Sequence, residues 1–442
     1  MITSRYLRAS LLGVLGAVCP VAPSAAQRPA AGNAADSEPQ QLSLAAALAA
    51  AMRVSPELAA AREAAAAAVA RERQAGAFAN PTLAYSRERT SGGGLTNSQH
   101  IATLDQPLEL SGLRDARRDV ARSRRDAADA RRSAAEAQLR FEVTRAYAVA
   151  VSADRRATLA EQASEAFGQA LRVSERRLAA GDVSGYANRR IRLEAARYAT
   201  VRAEAALARR SARHFLATLV MADPSPSSIS ALVLTDSSPP DMRDVATDAL
   251  VAAALRSRAE LRAARSEAEA SVAEARLASR ERIPVPVVSG GPKTERTSGV
   301  SDGLHGFAAG VSLPLPLWNR GRAAVEAAEA ESRRHLAETE SLRRRVVREV
   351  TEAADAYRVA AEQVAVLTPQ LGPEARTALR AAQVAYSEGE ASLVEWLDAV
   401  RAYHEAESSF ATLRADLVVR RAALERAVGA EDGAVSTPRI ER

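Results

Sequence analysis

The chain has 442 residues, of which 47% are hydrophobic but only 4% aromatic. Much of the hydrophobic fraction is alanine, which favours helix but buries little area, so a thick globular core is excluded and stability has to come from length and association. The net charge of +6 comes from 60 basic and 54 acidic residues that are interleaved along the chain, a pattern typical of solvated helix faces and not of a nucleic-acid-binding patch.

The first 26 residues have the pattern of a secretory signal peptide. Arg5 and Arg8 precede an apolar run, and a stretch of small residues ends at Ala26, after which we expect cleavage. A lipoprotein cleavage before Cys19 is the alternative, although the residue that precedes it is not small. Cys19 is the only cysteine, so the mature chain would have neither disulfides nor thiolate metal ligands, which suits an oxidising compartment.

Helix and strand patterns then follow one another. Residues 44–74 predict a helix, within which Ser55-Pro56-Glu57 has the pattern of a helix start. Residues 82–90 and 100–110 predict two strands around a flexible polar loop at 91–98. Residues 112–223 predict a helical hairpin that is broken once, at 180–185. Its first arm would extend about 100 Å at 1.5 Å per residue, which is too long for a compact domain.

The same order of patterns occurs again in the second half. Strands are predicted over 283–289 and 304–317, before a second long hairpin that Pro369 and Pro373 should interrupt. Five anchors correspond between the halves: Glu57-Leu58 with Glu260-Leu261, Pro81 with Pro284, Pro107-Leu108 with Pro314-Leu315, Glu142-Val143-Thr144 with Glu349-Val350-Thr351, and Gly181 with Gly389. Their offset ranges only from 203 to 208 residues. This regularity indicates an internal duplication.

The duplication predicts a division of the chain into six segments. These are a signal peptide (1–26), a flexible N-terminal segment (27–42), a first structural repeat (43–223), a linker (224–242), a second structural repeat (243–429) and a disordered tail (430–442). Each repeat should contain a helix, two strands and a long helical hairpin.

The predicted fold class is mainly α with a transmembrane β-barrel portion. No apolar run after the signal peptide is long enough for a transmembrane helix, so any membrane span has to be built from strands. Phe307, Ala309 and Val311 alternate with smaller or polar residues, as expected for one lipid face and one lumen face. Four strands cannot close a barrel, and open sheet edges are not viable in hydrocarbon, so copies of the chain would have to pool their strands. Ordinary hairpins packed on a helical domain are the alternative.

Three sets of residues, together with the duplicated order, resemble the TolC-like outer-membrane efflux factors over almost the whole mature chain. They are Gln106-Pro107-Leu108-Glu109-Leu110-Ser111-Gly112-Leu113-Arg114, Leu313-Pro314-Leu315-Pro316-Leu317-Trp318-Asn319-Arg320, and Tyr386 with Gly389, Ser392 and Leu397-Asp398-Ala399. The two proline motifs are most similar to the CzcC-type branch, which is associated with export of divalent metal cations. After Arg320 this chain has Gly321, where that branch often has a second asparagine.

The resemblance implies a homotrimeric α/β-barrel channel: a twelve-stranded barrel in the outer membrane that continues into a helical tunnel across the periplasm. Such a channel conducts passively, and it works with a periplasmic adaptor (membrane fusion) protein and an inner-membrane efflux pump, here of the RND type. It has no catalytic chemistry and no cofactor. The five histidines are scattered along the chain, so we expect no metal site either.

The resemblance also assigns site residues. The two inter-helix turns would be periplasmic tips that contact the adaptor, through Gly181, Val183, Ser184, Gly389, Ala391 and Ser392. Glu395 and Asp398 would line the periplasmic entrance as rings of carboxylates that concentrate cations, and Tyr386 would hold the entrance closed by a hydrogen bond. Ala391 and Ala187 replace a basic and an acidic residue of the best-known relatives, so the same locking network is not expected.

Other interpretations of the sequence stay open. The channel could serve organic compounds or a secreted polypeptide instead of metal cations. A periplasmic adaptor would carry one hairpin instead of two, and a structural coiled-coil protein would lack the two strand pairs. For the site, the two carboxylates could simply lie on a solvated helix face, and Tyr386 could be a packing residue.

Overall fold

The computed structural model describes residues 41–235, 246–369, 373–388 and 390–429. The predicted signal peptide with Cys19, residues 27–40 of the predicted flexible segment, residues 236–242 of the predicted linker and the predicted tail lie outside these ranges.

A helix pair, a strand pair and a long helical hairpin form the first half of the fold. The elements are β1 (Gln41–Leu42), α1 (Leu44–Val54), α2 (Pro56–Ala75), β2 (Thr82–Gly92), β3 (Leu95–Pro107), α3 (Leu113–Ala180), α4 (Gly185–Val220), α5 (Pro226–Ser230) and β4 (Val233–Leu234). Helix α3 has 68 residues, which corresponds to about 100 Å. The predicted hairpin and its single break are therefore present.

The second half repeats this order. Its elements are α6 (Thr247–Ser257), α7 (Ala259–Glu281), β5 (Val287–Thr297), β6 (Leu304–Ser312), α8 (Arg322–Pro369), α9 (Ala375–Glu388) and α10 (Leu393–Val428). The break between α8 and α9 falls at the predicted prolines, because proline lacks the amide donor that a continuing helix needs.

The helix predicted over residues 44–74 is two helices. Ser55 ends α1 and caps α2, since its hydroxyl accepts a hydrogen bond from the Leu58 amide at 3.3 Å, and Pro56 follows at the first helical position. Among the described helices, none is by itself long and apolar enough to cross a membrane; only α1 and α2 taken together, with a 52° bend between them, meet that criterion.

Two hydrophobic clusters occupy corresponding positions in the two halves. The first contains Ala51, Leu139, Val143, Leu216 and Val220, and the second contains Ala254, Val346, Val350, Leu424 and Val428. These pairs are related by the same offsets of 203 to 208 residues as the sequence anchors. Each half therefore packs its first helix against the two arms of its own hairpin at corresponding positions.

Tyr147 contacts the predicted N-terminal segment and the predicted linker, both of which lie outside the predicted repeats. Strand β1 pairs in parallel with β4, and the Tyr147 hydroxyl lies 2.7 Å from the carbonyl oxygens of Leu42 and Thr235. Ile229 and Leu232 are buried nearby. Residues 41–42 are thus not part of a flexible segment, and the described portion of the predicted linker is packed onto the helices.

The four long strands form one antiparallel sheet in the order β2-β3-β5-β6. The eight-residue loop predicted at 91–98 is wrong: strands β2 and β3 continue to a two-residue turn at Gly93 and Gly94, both of which have positive φ. Two-residue turns of this kind match the twist of paired strands. The polar composition of these residues suggested a loop, but polar residues also occupy paired strand positions up to Gly92 and Leu95.

The predicted bounds of the last two strands also need correction. Strand β5 lies over Val287–Thr297 instead of 283–289, and β6 ends at Ser312 instead of continuing to 317. The error arose because Gly290, Gly291 and Pro292 suggested a turn. Gly291 is instead required inside the sheet, since a Cβ atom there would lie 1.9 Å from the Ala102 carbonyl oxygen of strand β3.

Candidate functional site

The turn between α3 and α4 is closed by backbone hydrogen bonds. Gly181 adopts the left-handed conformation (φ 83°) and donates to the Leu178 carbonyl at 3.1 Å, while the Asp182 amide donates to the Arg177 carbonyl at 2.9 Å. The Ser184 hydroxyl then caps α4 by accepting from the Ala187 amide at 3.2 Å. Gly181 and Ser184 are exposed and Val183 is half-buried. The result is a tight, solvent-facing tip.

A buried polar pair fixes the two arms behind this tip. The Asn188 side-chain amide donates to the Ser174 hydroxyl at 3.0 Å. Asn188 is only 2% exposed and Ser174 only 1%. Because a buried polar group without a partner is costly, this pair favours one register of α3 against α4 close to the turn.

The turn between α9 and α10 has a related construction. Glu390 and Ala391 both donate their amides to the Ala385 carbonyl, at 2.8 and 3.0 Å. Ser392 caps α10, as Ser184 caps α4. Ser392 is exposed and Ala391 half-buried. Gly389, the sixth predicted tip residue, lies outside the described part of the chain.

Glu395 forms a reciprocal capping box with Ser392. Its carboxylate accepts from the Ser392 amide at 2.7 Å, and its own amide donates to the Ser392 hydroxyl at 3.2 Å. The hydrogen bond from the Ser392 amide is the main cause that lowers the pKa of Glu395 below its ordinary value, and the Ser392 hydroxyl adds to it. The carboxylate therefore stays ionised at neutral and mildly acidic pH while it stabilises the start of α10.

Asp398 lies on the same exposed face one turn further along α10. It forms an ion pair with Arg401 on the same helix, with half of the Asp398 side chain exposed. The two predicted entrance carboxylates are therefore brought together, as their spacing predicted. They differ in surroundings, because the charge of Asp398 has a cationic neighbour, whereas Glu395 is held by neutral donors.

Tyr386 contacts α10 through its ring. It stacks on Trp396, with ring centroids 5.5 Å apart and the planes at 13°. This contact ties the end of α9 to the start of α10 and supports the packing interpretation of Tyr386 within one copy of the chain. The hydrogen bond implied by the resemblance is not among the contacts of the described residues.

An aromatic cluster lies deeper along the same helices. Phe167 of α3 stacks on Tyr198 of α4, with centroids 4.3 Å apart at 10°, and His404 of α10 meets the edge of Tyr198 at 5.5 Å and 83°. Burial lowers the pKa of His404 and raises that of Tyr198. The second hairpin is thus packed against the first through these rings.

Glu407 is the charged residue that the sequence interpretation missed. It is 3% exposed, and it joins Arg155 of α3 at 2.6 Å to Arg376 of α9 at 3.5 Å. Its position could have been found, because Leu397, Val400, His404 and Glu407 are spaced three, four and three residues apart, which is the period of a buried helix stripe. A charge on such a stripe predicts a buried ion pair.

No cluster of three or more metal-ligating side chains is found among the described residues. Glu395 and Asp398 are an exposed pair of acids, which attracts cations by charge without enclosing them. The pair therefore offers no coordination cage for a metal ion.

Comparison with known proteins gives this architecture its class. The fold is similar to that of a membrane protein from Pseudomonas aeruginosa (TM-score 0.70, 22% identity, 93% of this chain and 100% of that one). It is also similar to the Campylobacter jejuni outer membrane channel CmeC (TM-score 0.72, 15% identity, 87% and 85%) and to CusC (TM-score 0.67, 18% identity, 88% and 92%). The fold is that of the TolC-like channels.

Sequence comparison adds two similarities. A family model described as "Outer membrane efflux protein" matches residues 250–430. The cobalt-zinc-cadmium resistance protein CzcC of Cupriavidus metallidurans is 26% identical over 343 residues, which cover 75% of this chain and 77% of CzcC. Residues 250–430 therefore match the outer membrane efflux protein family, and the chain is similar to CzcC over three quarters of its length.

Proposed function

We propose that three copies of the chain form the exit duct of a tripartite efflux system. The observation that carries this proposal is the four-stranded sheet, whose edge strands β2 and β6 are unpaired within the described chain. Open edges are not viable in hydrocarbon, so copies have to pool their strands, and three copies would supply twelve. The long hairpins that continue from the sheet form the wall of the tunnel.

The partners are a periplasmic adaptor protein and an inner-membrane pump of the RND type. The adaptor binds at the two tips, through Gly181, Val183, Ser184, Gly389, Ala391 and Ser392. Two features support this assignment: both tips are capped turns, and Ser184 and Ser392 are exposed at corresponding places. Rigid, solvent-facing turns can present the same backbone groups to a partner in every copy.

Cross-linking from single cysteines tests the tips. Cys19 is the only cysteine, so a Cys19→Ser background leaves one thiol in each variant. Ser184→Cys and Ser392→Cys should cross-link to the periplasmic adaptor, identified by mass spectrometry. Ala208→Cys is the control, because it is exposed on α4 about 36 Å from the tip at 1.5 Å per residue. Equal cross-linking at Ala208 would contradict docking at the tips.

The transported substrate is a divalent metal cation. The resistance named in CzcC supports this class, and so do the adjacent carboxylates Glu395 and Asp398. In a trimer each residue forms a ring of three negative charges, which raises the local concentration of cations and disfavours anions. Tyr386, stacked on Trp396 beside this ring, holds the end of α9 against α10 at the entrance.

Single-channel conductance in planar bilayers tests both the duct and its entrance. Glu395→Gln removes the charge and retains a residue that can complete a capping box. Asp398→Asn removes the second charge, and Asp416→Asn is its matched control, since Asp416 also pairs with an arginine of α10 and its side chain is 44% exposed. Wild type and Asp416→Asn should show the same cation selectivity, and Glu395→Gln with Asp398→Asn should show less.

The outcomes separate the parts of the proposal. Conductance with unchanged selectivity in the double variant would reject the acidic entrance and keep the duct. Failure of the folded wild-type protein to insert and conduct would reject the duct itself.

A further inference from the structure

The register of the sheet sorts its side chains onto two faces. One face carries Leu83 and Tyr85 of β2, Leu104 of β3, Val288 of β5, and Phe307 and Val311 of β6. Each of these side chains is at least 41% exposed. We call this the apolar face. Six large apolar groups left open to one side are typical of a surface that contacts lipid.

The same face becomes basic toward the Gly93–Gly94 turn. The first row beyond the apolar side chains crosses all four strands. It consists of Arg87 of β2, His100 of β3, Thr294 of β5 and His305 of β6, each paired in register with the next. In the next row Arg89 lies opposite Ser98 and Ser98 opposite Arg296. We call Arg87, Arg89, His100, Arg296 and His305 the basic band.

The acids of the sheet are all on the opposite face. Along each strand, they are an odd number of residues away from the members of the basic band; they are Glu88, Asp105 and Glu295. Their side of the sheet is confirmed by two contacts of Glu295, with the Asn97 side-chain amide at 2.6 Å and with Lys293 at 3.5 Å. In the described strands, no ion pair involves Arg87, Arg89 or Arg296, and all three are exposed.

The depth of the basic band follows from strand geometry. Its first row lies two residues, or about 7 Å, along the strands from the row of Tyr85 and Phe307. Arginines this close to a hydrocarbon-facing surface need a counter-charge, because an unpaired charge beside hydrocarbon is costly. The sheet supplies none on that face, so the counter-charge has to come from the surroundings.

We propose that the basic band binds the phosphate groups of phosphorylated lipids in the outer leaflet of the outer membrane. The proposal rests on the sheet being the membrane-embedded part of the duct. Guanidinium groups pair with phosphate through two parallel hydrogen bonds, and an anionic layer at the edge of the hydrocarbon matches a band that directly adjoins the apolar face. In a trimer the band is repeated three times around the duct.

Lipid titration of the purified, detergent-solubilised protein tests the proposal. The probe is bisphosphorylated lipid A, and its dephosphorylated form separates phosphate recognition from contact with the acyl chains. Arg296→Gln and Lys293→Gln form a matched pair, because both residues lie on β5, three positions apart and on opposite faces. Arg296→Gln should weaken binding about fivefold and Arg87→Gln/Arg89→Gln/Arg296→Gln about a hundredfold, whereas Lys293→Gln should bind as the wild type does.

Several results would overturn the lipid proposal. These are equal affinities of Arg296→Gln and Lys293→Gln, equal binding of dephosphorylated lipid A, and displacement by millimolar inorganic phosphate. Heat-modified migration shows whether the triple variant is folded, and the single variants test the proposal if it is not. Conductance in bilayers of phosphatidylcholine alone distinguishes failure of the duct proposal from failure of the lipid proposal. A wild-type protein that conducts there but shows no preference for lipid A would contradict only the lipid proposal.

Discussion

Glu407 and Arg155 form an ion pair between residues 252 positions apart in the sequence, with a hydrogen bond of 2.6 Å from the guanidinium to the carboxylate. Only 4% of the Glu407 side chain is exposed, against 45% of that of Arg155. The hydrogen bond to Glu407 is the main cause that raises the pKa of Arg155. The desolvation cost of the pair therefore falls chiefly on the glutamate. The buried Glu407 carboxylate connects α10 to α3 through this ion pair.

We expect Glu407→Gln to lower the free energy of unfolding by about 1–3 kcal/mol, because it removes the negative charge that pairs with Arg155 and leaves a buried amide whose oxygen is a weaker acceptor. The half-exposed Arg155 can be hydrated, so the cost stays below that of breaking a fully buried pair. The measurement is the thermal midpoint of the detergent-solubilised protein. Exposed Glu405→Gln on the same helix should change little, and equal midpoints for the two variants would show that the buried pair does not stabilise the hairpins.

Gly291→Ala should disrupt the sheet. The added methyl group would lie 1.9 Å from the Ala102 carbonyl oxygen, a backbone atom of β3 at a position that is paired with Tyr85 of β2. We expect loss of heat-modified migration and of membrane insertion. Gly306→Ala is the matched control, since it lies in β6 with nothing within 4 Å of its added Cβ, and it should insert normally. A Gly291→Ala protein that inserts like Gly306→Ala would contradict this strand register.

Ser174 and Asn188 should be energetically coupled. Ser174→Ala leaves the buried Asn188 amide without its acceptor, so it should cost about 1–3 kcal/mol. Asn188→Ala should have a similar effect, and the double variant should cost less than the sum of the two, by about 0.5–2 kcal/mol. Strict additivity of the three thermal midpoints would mean that the pair does not hold the arms of the first hairpin in register.

His404 should make the helical part sensitive to mild acid. Burial lowers the pKa of His404 below its ordinary value of 6.5, with a smaller opposing effect of Glu405 and a smaller lowering by Arg156. The folded state thus prefers the neutral ring, so the stabilising contribution is present above pH 6.5 and is lost as the pH falls through the lowered folded-state pKa. The thermal midpoint should therefore drop between pH 7.5 and 5.5.

A variant without an ionisable side chain at position 404 tests whether His404 causes this pH dependence. His404→Phe keeps an aromatic ring against Tyr198 and should flatten the pH dependence. His214→Phe is the control, because His214 is exposed on α4, and it should leave the pH dependence unchanged. An unaltered acid response in His404→Phe would assign that response to other groups.

The helices were predictable because their signals are local. Alanine-rich segments without proline, the glycine at Gly181 and the prolines after α8 act within a few residues, and the structure places the turn and the break there. Strand limits were less accurate, because glycine and proline in β5 suggest a turn when their neighbours are unknown. Only the close approach of Gly291 to the Ala102 carbonyl oxygen explains why a strand needs glycine at that position.

The site was predictable only in part. The spacing of Glu395 and Asp398 places them on one helix face, but it does not reveal that the first is a capping residue and the second has Arg401 beside it. The adaptor contacts and the acidic entrance remain predictions, since they depend on further chains. The tip residue Gly389 lies outside the described ranges.

The sequence by itself determined the repeated order of elements and the length of the hairpins, because periodicity, turn residues and motif spacing are properties of neighbouring residues. The tertiary structure alone decided which strand positions share a face, that Glu407 meets Arg155, and that the arginines of β2 and β5 form one band without an acid beside them. A shift of one residue in register moves every side chain of a strand to the other face, and no local pattern fixes that register between strands almost 200 residues apart.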